Sequence, residues 1–332
     1  MRDCPHAPAF RVVARSQRGA AILTAMLTVV LVATLAAASL WQQWRSVEVE
    51  EAQRARVQSA WLLVGALDWA RLILREDVRS GNIDHLGEPW AVPLEEARLS
   101  TFFAADSSAS DRADDALQAF ISGDIVDLQS RLNVTNLVEN GQVSLSSIQA
   151  FDKLFGLLNL PNNELGRMAE NLRFALDTSA ENRSGNQAPL LPQRVEQLVW
   201  LGVSQRTVAA LAPYITVLPA RTAVNLNTAS AEVLFACVEG LDMAGARQLV
   251  TARALNHFQT LSDASKLMGG AATRVVEGQH SVSSRFFEVR GRLRLEQAIV
   301  QERSLVQRDG LEVKTLWRER MAGLPAPKPS LQ

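Results

Sequence analysis

Arg15-Ser-Gln-Arg-Gly-Ala-Ala-Ile-Leu-Thr24, running on without interruption to Trp44, is the stretch from which the fold can be read. From Gly19 to Trp44 there is no Asp, Glu, Lys, Arg or Pro. At about 1.5 Å of rise per residue, Ala20 to Trp41 is long enough to cross a hydrocarbon core of ~30 Å. Ahead of it lie Arg2, Arg11, Arg15 and Arg18 against one acid, Asp3. That excess predicts a cytoplasmic N-terminus and an exported body. The Gly19-Ala20 step marks the border between basic leader and apolar helix.

The helical pattern does not stop at the membrane edge. No proline occurs from Ala9 to Glu88, and Val47, Val57, Trp61, Val64, Leu67, Leu74 and Val78 recur at helical spacing among Glu and Arg. This predicts one helix from about residue 20 to about residue 80, roughly 90 Å long if unbroken. Its first half lies in lipid and its second half carries a packed stripe. Ser80-Gly81-Asn82 supplies the stop.

The 332 residues are 47% hydrophobic and 21% charged, enough to bury a sizeable core. The net charge is −1; without residues 1–19, which hold four Arg and one Asp, 30 basic side chains face 34 acidic ones, a net of −4. No polybasic face for nucleic acid follows from that balance. Cys4 falls in the leader, so Cys237, in Val-Leu-Phe-Ala-Cys-Val, has no partner for a disulfide and reads as a small buried residue. His6, His85, His257 and His280 are far apart in sequence with no metal-ligand spacing, and no nucleophile elbow, phosphate loop or His-Glu-x-x-His is present. An enzyme is not expected. The acidic positions of 106–115, and Asp124 with Asp127, could hold calcium through carboxylate oxygens or be plain solvated loop; EF-hand spacing is absent. No other cofactor is expected.

After the helix, Glu88-Pro-Trp-Ala-Val-Pro93 reads as an extended piece and residues 105–115 as a polar surface loop. Phe120 to Gln129 reads as a strand and turn, followed by Leu132 to Val138. From Ser144 to about Met268 the texture is short helices: Ile148, Phe151, Leu154, Phe155 and Leu158 make one apolar face, Leu165, Met168, Leu172 and Phe174 a second, and Val195, Leu198, Val199 and Leu201 a third. Thr207 starts another, and Thr228 is a candidate N-cap with Glu232 near the first turn. Strands return at Ser281-Val-Ser-Ser, Phe286 to Leu295, Ala298 to Val306 and Leu311 to Trp317, with Asp309-Gly310 as a hairpin joint. A helical block between strand groups predicts an insertion into one α+β domain.

Val224-Asn-Leu-Asn-Thr-Ala-Ser-Ala-Glu-Val-Leu, Glu239-Gly-Leu-Asp-Met-Ala-Gly-Ala and Leu249-Val-Thr-Ala-Arg253 resemble a helix-hairpin-helix unit of DNA-uptake and repair proteins. There a Gly-x-Gly turn offers backbone N–H groups to phosphate. Here Gly240 is followed by Leu241 and Asp242, and an acid at the phosphate position is repulsive. Within 221–258, Arg221, Arg247 and Arg253 balance Glu232, Glu239 and Asp242, so little counterion release is available to hold DNA. A packing unit that lost its phosphate site is the expectation.

Arg18-Gly19-Ala20 before a long apolar helix resembles the class III leader of type IV pilins and type II secretion pseudopilins. The resemblance implies cleavage by a prepilin peptidase between Gly19 and Ala20, with N-methylation of Ala20. It implies a pilin-like fold, a long N-terminal helix packed on an antiparallel sheet. The family's fifth mature residue is usually Glu; counted from Ala20 that position is Thr24. An uncharged residue there, the size of the chain, Asn225-Leu-Asn-Thr-Ala-Ser, Leu218-Pro219, Phe287-Glu-Val-Arg-Gly and Leu316-Trp317 together resemble the minor pseudopilin K (GspK) family of type II secretion.

That resemblance implies a large all-α insertion, of helix-hairpin-helix-like (SAM-like) type. The expected layout is leader 1–19, transmembrane half-helix 20–41, pilin-like part 42–135, inserted helical domain 136–280, C-terminal strands 281–322 and a tail at 323–332. It also implies a position at the pseudopilus tip with minor pseudopilins I and J, contact with the other pseudopilins and the inner-membrane assembly platform, and no nucleic acid. Thr24 would dictate the tip place, since a subunit lacking the acid has no ammonium above it to neutralise. Two other readings remain open here. One is a secreted protein cut by ordinary signal peptidase in Leu35-Ala-Ala-Ala-Ser39. The other is a membrane-anchored protein binding nucleic acid through residues 221–258.

Overall fold

The structure, a computed structural model, describes residues 18–99, 119–177, 179, 188–268, 274–295 and 298–322. The chain forms two compact units, residues 1–58 and 59–332. Helix α1, Arg18–Ser80, belongs to both.

In the first unit, α1 is unbroken and every side chain from Ala20 to Arg54 is exposed, including Leu23, Leu27, Val30, Leu35 and Trp41. Thr24, Thr28 and Thr34 turn their hydroxyls back onto helix carbonyls, so these three donors are satisfied within the helix. The helix is long and apolar enough to cross a membrane. Arg45 lies 5.6 Å from the Trp41 ring centroid, where the polar face begins.

In the second unit, Leu63, Leu67, Ala70 and Leu74 repeat at i, i+4, i+7 and i+11 and are all buried. They rest on a sheet of five antiparallel strands: β1 (Leu94–Arg98), β2 (Ala119–Asp127), β9 (Phe286–Leu295), β10 (Ala298–Asp309) and β11 (Glu312–Ala322), in the order β1-β2-β9-β10-β11. The register sets the faces. Asp127, Ile125, Gly123 and Ile121 stand opposite Phe287, Val289, Gly291 and Leu293, and this row meets α1. A Cβ on Gly123 would fall 2.5 Å from the Arg290 carbonyl oxygen, so only glycine fits that pairing. Arg71 fastens helix to sheet by donating from Nε and Nη2 to the Val313 carbonyl, at 2.9 and 2.7 Å. The β10–β11 hairpin turns at Gly310, whose φ of 58° is the left-handed conformation expected of that joint.

Between β2 and its sheet neighbour β9 lie residues 128–285. They hold two-residue ladders, β3 (Leu132–Asn133) with β6 (Ile215–Thr216), β4 (Val138–Glu139) with β5 (Gln142–Val143), and β7 (Val224–Asn225) with β8 (His280–Ser281). They also hold helices α2 (Leu145–Leu157), α3 (Asn162–Leu176), α4 (Gln205–Leu211), α5 (Ala231–Cys237), α6 (Met243–Leu255) and α7 (Leu261–Met268). Phe151, Leu154, Phe155, Met168, Leu172, Leu198, Leu201, Leu234 and Phe258 fill a core separate from that under α1. On the sheet face away from α1, Phe286 and Leu305 pack with Leu128 and Leu218.

Several local expectations change. Pro89–Ala91 is a 3-10 turn, because Pro89 at its first position favours the helical φ. Val195–Leu201 is 3-10 and ends at Gly202 with φ 83°. Ser281 to Ser284 does not join the main sheet, since β8 pairs with β7. The N-cap of α5 is Ser230, whose Oγ accepts from the Val233 N–H. Thr228 is drawn away by a stronger acceptor.

Candidate functional site

That acceptor is Asp127, and around it the helical region is tied to the helix–sheet body. Its Oδ2 accepts from Thr228 Oγ1 at 2.6 Å, Ser284 Oγ at 2.6 Å and Asn225 Nδ2 at 3.2 Å, and its Oδ1 from the Gln129 N–H at 2.7 Å. Burial pushes the carboxyl up to about 6, with the hydroxyls of Ser284 and Thr228 pulling the other way. Asn225 also donates to the Asp84 carbonyl at 3.1 Å, and the Ser284 N–H to Asp84 Oδ2 at 2.7 Å. Arg308 of β10 closes the network, donating to Asp84, to Asp77 at 2.8 Å and to the Ser284 carbonyl at 2.9 Å.

Asp77, Asp84 and Glu88 draw together here, with the Arg308 guanidinium as the cation on the two aspartates. Burial, then the Glu88 charge, pushes Asp77 up to about 6 against the pull of Arg308. Glu88 is raised by burial while it accepts from the His85 N–H and Trp90 Nε1. Each buried polar group is thereby partnered, the condition under which burying it is tolerable.

The Asn225-Leu-Asn-Thr-Ala-Ser run acquires a structural meaning. Asn225 and Thr228 bind Asp127, while Asn227 binds both backbone polar groups of Phe258, at 3.0 and 2.8 Å, which joins α5 to the turn after α6. In the part that resembles a helix-hairpin-helix, Gly240 has φ 73°, Leu241 is buried, and Asp242 Oδ1 accepts from the Gly245 N–H at 2.7 Å. The helix N-terminus that would meet a phosphate is capped by the protein's own carboxylate. Arg221 pairs with Glu139, and Arg253 donates to the Leu226 carbonyl at 2.5 Å. Those cations serve the fold.

Asp124 and Asp127 point to opposite faces of β2, Asp124 toward Arg290 and Asp127 into the interior, so they do not converge on one ion. Residues 106–115 and the leader up to residue 17 lie outside the described residues. Burial pushes the Cys237 thiol up to about 12, the state of an unreactive side chain. His280 contacts the Val276 and Cys237 carbonyls and is lowered by burial. His85 and His257, far apart in sequence, stack with ring centroids 3.6 Å apart and planes at 12°. Thr24 bonds to the carbonyls of Ala20 and Ala21, at 3.1 and 3.0 Å.

Sequence reasoning singled out Asp127 as a calcium candidate, Asn225 within a family-like run and Thr228 as an N-cap, none of them for this junction, and passed over Asp77, Asp84, Ser284 and Arg308. The one available signal was Arg308 itself, which keeps the pleat of β10 on the same side as buried Val306.

Two family models match the chain, both described as type II secretion system (T2SS) protein K: one over residues 130–220, the other over 224–283. Type II secretion system protein K of Pseudomonas aeruginosa strain PAO1 is 28% identical, over 92% of this chain and 90% of that protein. In the crystal structure of the GspK–GspI–GspJ complex from the type 2 secretion system of enterotoxigenic Escherichia coli, one chain is similar in fold. It has a TM-score of 0.56 and 18% identity, over 82% of this chain and 99% of that one.

Proposed function

We propose that this chain, built on the pattern of type II secretion protein K, is a minor pseudopilin that joins partners of types I and J in the pseudopilus of a type II secretion system. The observation that carries the reading is the match to protein K across both halves of residues 128–285, combined with an apolar helix that continues into the body of the fold. Residues 136–280 are the inserted helical domain that gives the subunit its size.

The chain enters the inner membrane with its N-terminus in the cytoplasm and its body in the periplasm, as the arginines before Gly19 direct. Prepilin peptidase cuts between Gly19 and Ala20, and Ala20 becomes the methylated N-terminus. Ala20 to Trp41 then holds the subunit in lipid until it is drawn into the filament. Thr24 occupies the position where other subunits carry an acid for a neighbour's ammonium. Its hydroxyl is already satisfied within its own helix. A subunit stacked above would bring an ammonium with no counter-charge, at a cost of several kcal/mol in a lipid-like setting. The subunit is therefore stable at the tip. The role is assembly, not catalysis, and uses no cofactor.

Co-expression of the full chain with the I and J proteins of the same secretion system, followed by purification in detergent through a tag on one partner, tests this. A stoichiometric ternary complex is expected. Recovery of this chain alone would refute the assignment.

A further inference from the structure

The geometry points to an acid-released fastening: the stacked rings of His85 and His257 hold the turn after α6 against the segment that follows α1, and protonation of both rings undoes that contact. His85 belongs to the segment between α1 and β1, His257 to the turn between α6 and α7. Their rings lie 3.6 Å apart and nearly parallel. Each sits beside a pinned residue. Asp84 is held by the Val282 carbonyl, the Ser284 N–H and Arg308, and Phe258 by Asn227 on both its backbone groups. The backbones on both sides are thus fixed, and repulsion between the rings cannot be relieved by a small drift of either loop.

The stack is a neutral one. His85 Nδ1 accepts from the Gly87 N–H at 3.1 Å, which places the ring proton on Nε2, 3.9 Å from Glu88 Oε1. His257 Nε2 lies 2.6 Å from the side-chain amide of Gln259. Burial lowers His85, with the Asp77 and Asp84 charges opposing it; burial and then the charge of His85 lower His257. One proton can be shared with the nearby carboxylates, but a second sets two like charges face to face.

The groups around the pair are Asp77 of α1, Asp84 and Glu88 of the same segment as His85, Arg308 of β10 through the two aspartates, and Gln259 beside His257. Asp77 and Glu88 have raised pKa values and so favour the folded protein in acid, opposite to the histidines. Histidines lowered in the folded protein contribute stability that is present above the unfolded value of about 6.5 and is lost as pH falls below it. The fastening therefore loosens in mildly acidic surroundings.

The test compares the full chain in detergent micelles with the His85→Phe/His257→Phe variant, which keeps two apolar rings and cannot titrate. Hydrogen exchange of residues 82–86 and 256–259 is followed at pH 7.5 and 5.0, corrected for intrinsic exchange. Each unit by which a ring is lowered multiplies opening by up to about ten. Wild-type protection should fall about tenfold or more relative to the variant on acidification. Parallel profiles in the two proteins would overturn the proposal. A single His257→Gln variant guards against a misfolded double variant: it should lose most of the acid response, and retention of the full response would equally overturn it.

Discussion

Arg308 and Asp84, 224 residues apart in the chain, meet as an ion pair with side-chain exposures of 6% and 1%. Asp77, at 2.8 Å from the same guanidinium, makes it a triad. Such a cluster can be matched in stability by apolar packing, but removing one member leaves buried charge without a partner. Arg308→Met should therefore destabilise the body by about 3–5 kcal/mol. Urea unfolding of wild type and variant at pH 7.5 measures it.

Asp127 gives a pH dependence whose sign is opposite to that of the histidine pair. Its folded value is raised from 3.8 to about 6. Its contribution is full below 3.8 and is lost as pH climbs toward 6, a swing of up to ~3 kcal/mol. Asp127→Asn should remove that swing and also weaken the bonds from Thr228 and Ser284. Unfolding midpoints at pH 4.5 and 7.5 should converge more closely in the variant than in wild type.

Gly123→Ala sets a methyl group 2.5 Å from the Arg290 carbonyl oxygen, between two strands that cannot part locally. The cost should be about 1–3 kcal/mol. Leu74→Ala, at a position with no exposure, should cost about 2–5 kcal/mol. Thermal unfolding of each variant is the check, with exposed Leu316→Ala expected to be near neutral.

Processing can be read by size on a gel. A bulky Gly19→Leu should leave the precursor uncut and secretion blocked, because the scissile bond needs a small residue that extends easily. Mature protein starting at Ala20 from that variant would count against the leader, and a wild-type start near Ser39 would favour an ordinary signal peptide.

Thr24→Glu should still be processed yet lose strict placement. Cross-linking from position 24 should report contacts confined to the tip partners in wild type and spread along the filament in the variant. A wild-type protein already spread along the filament would refute the role given to Thr24.

The sequence carried the long helix and the last three strands because each depends on local periodicity: Leu67 and Leu74 repeat as helix residues, and Phe287 and Val289 alternate as strand residues. The hairpin at Asp309-Gly310 was equally legible, since its turn chemistry lies in two adjacent residues. The junction was not. Asp77, Asp84, Asp127, Ser284 and Arg308 become one network only when strands from both ends of the chain lie side by side, and no spacing encodes that. Thr228 shows the same limit from the other side: it has the chemistry of an N-cap, but Asp127 offers a better partner from 101 residues away. The stacked histidines are a further case, invisible to any search for ligand spacing.

The interposition of residues 128–285 between β2 and β9 has a consequence for how the protein is made. When β2 emerges from the ribosome, its neighbour β1 is already made but its other neighbour β9 is not. Pairing across so long a separation is slow, because the loop must close before the contacts reward it. The helical core, with Phe151 and Phe258 among its members, packs as a cluster of its own, apart from the side chains under α1. Its completion brings Asn225 and Ser284 to Asp127 and shortens the effective loop that β9 must span. Until then the stripe of Leu63, Leu67, Ala70 and Leu74 lacks the part of its cover that comes from Phe287, Val289, Leu293 and Val306. The last strands complete that cover, so a chain truncated before β9 leaves the stripe half covered and open to proteolysis.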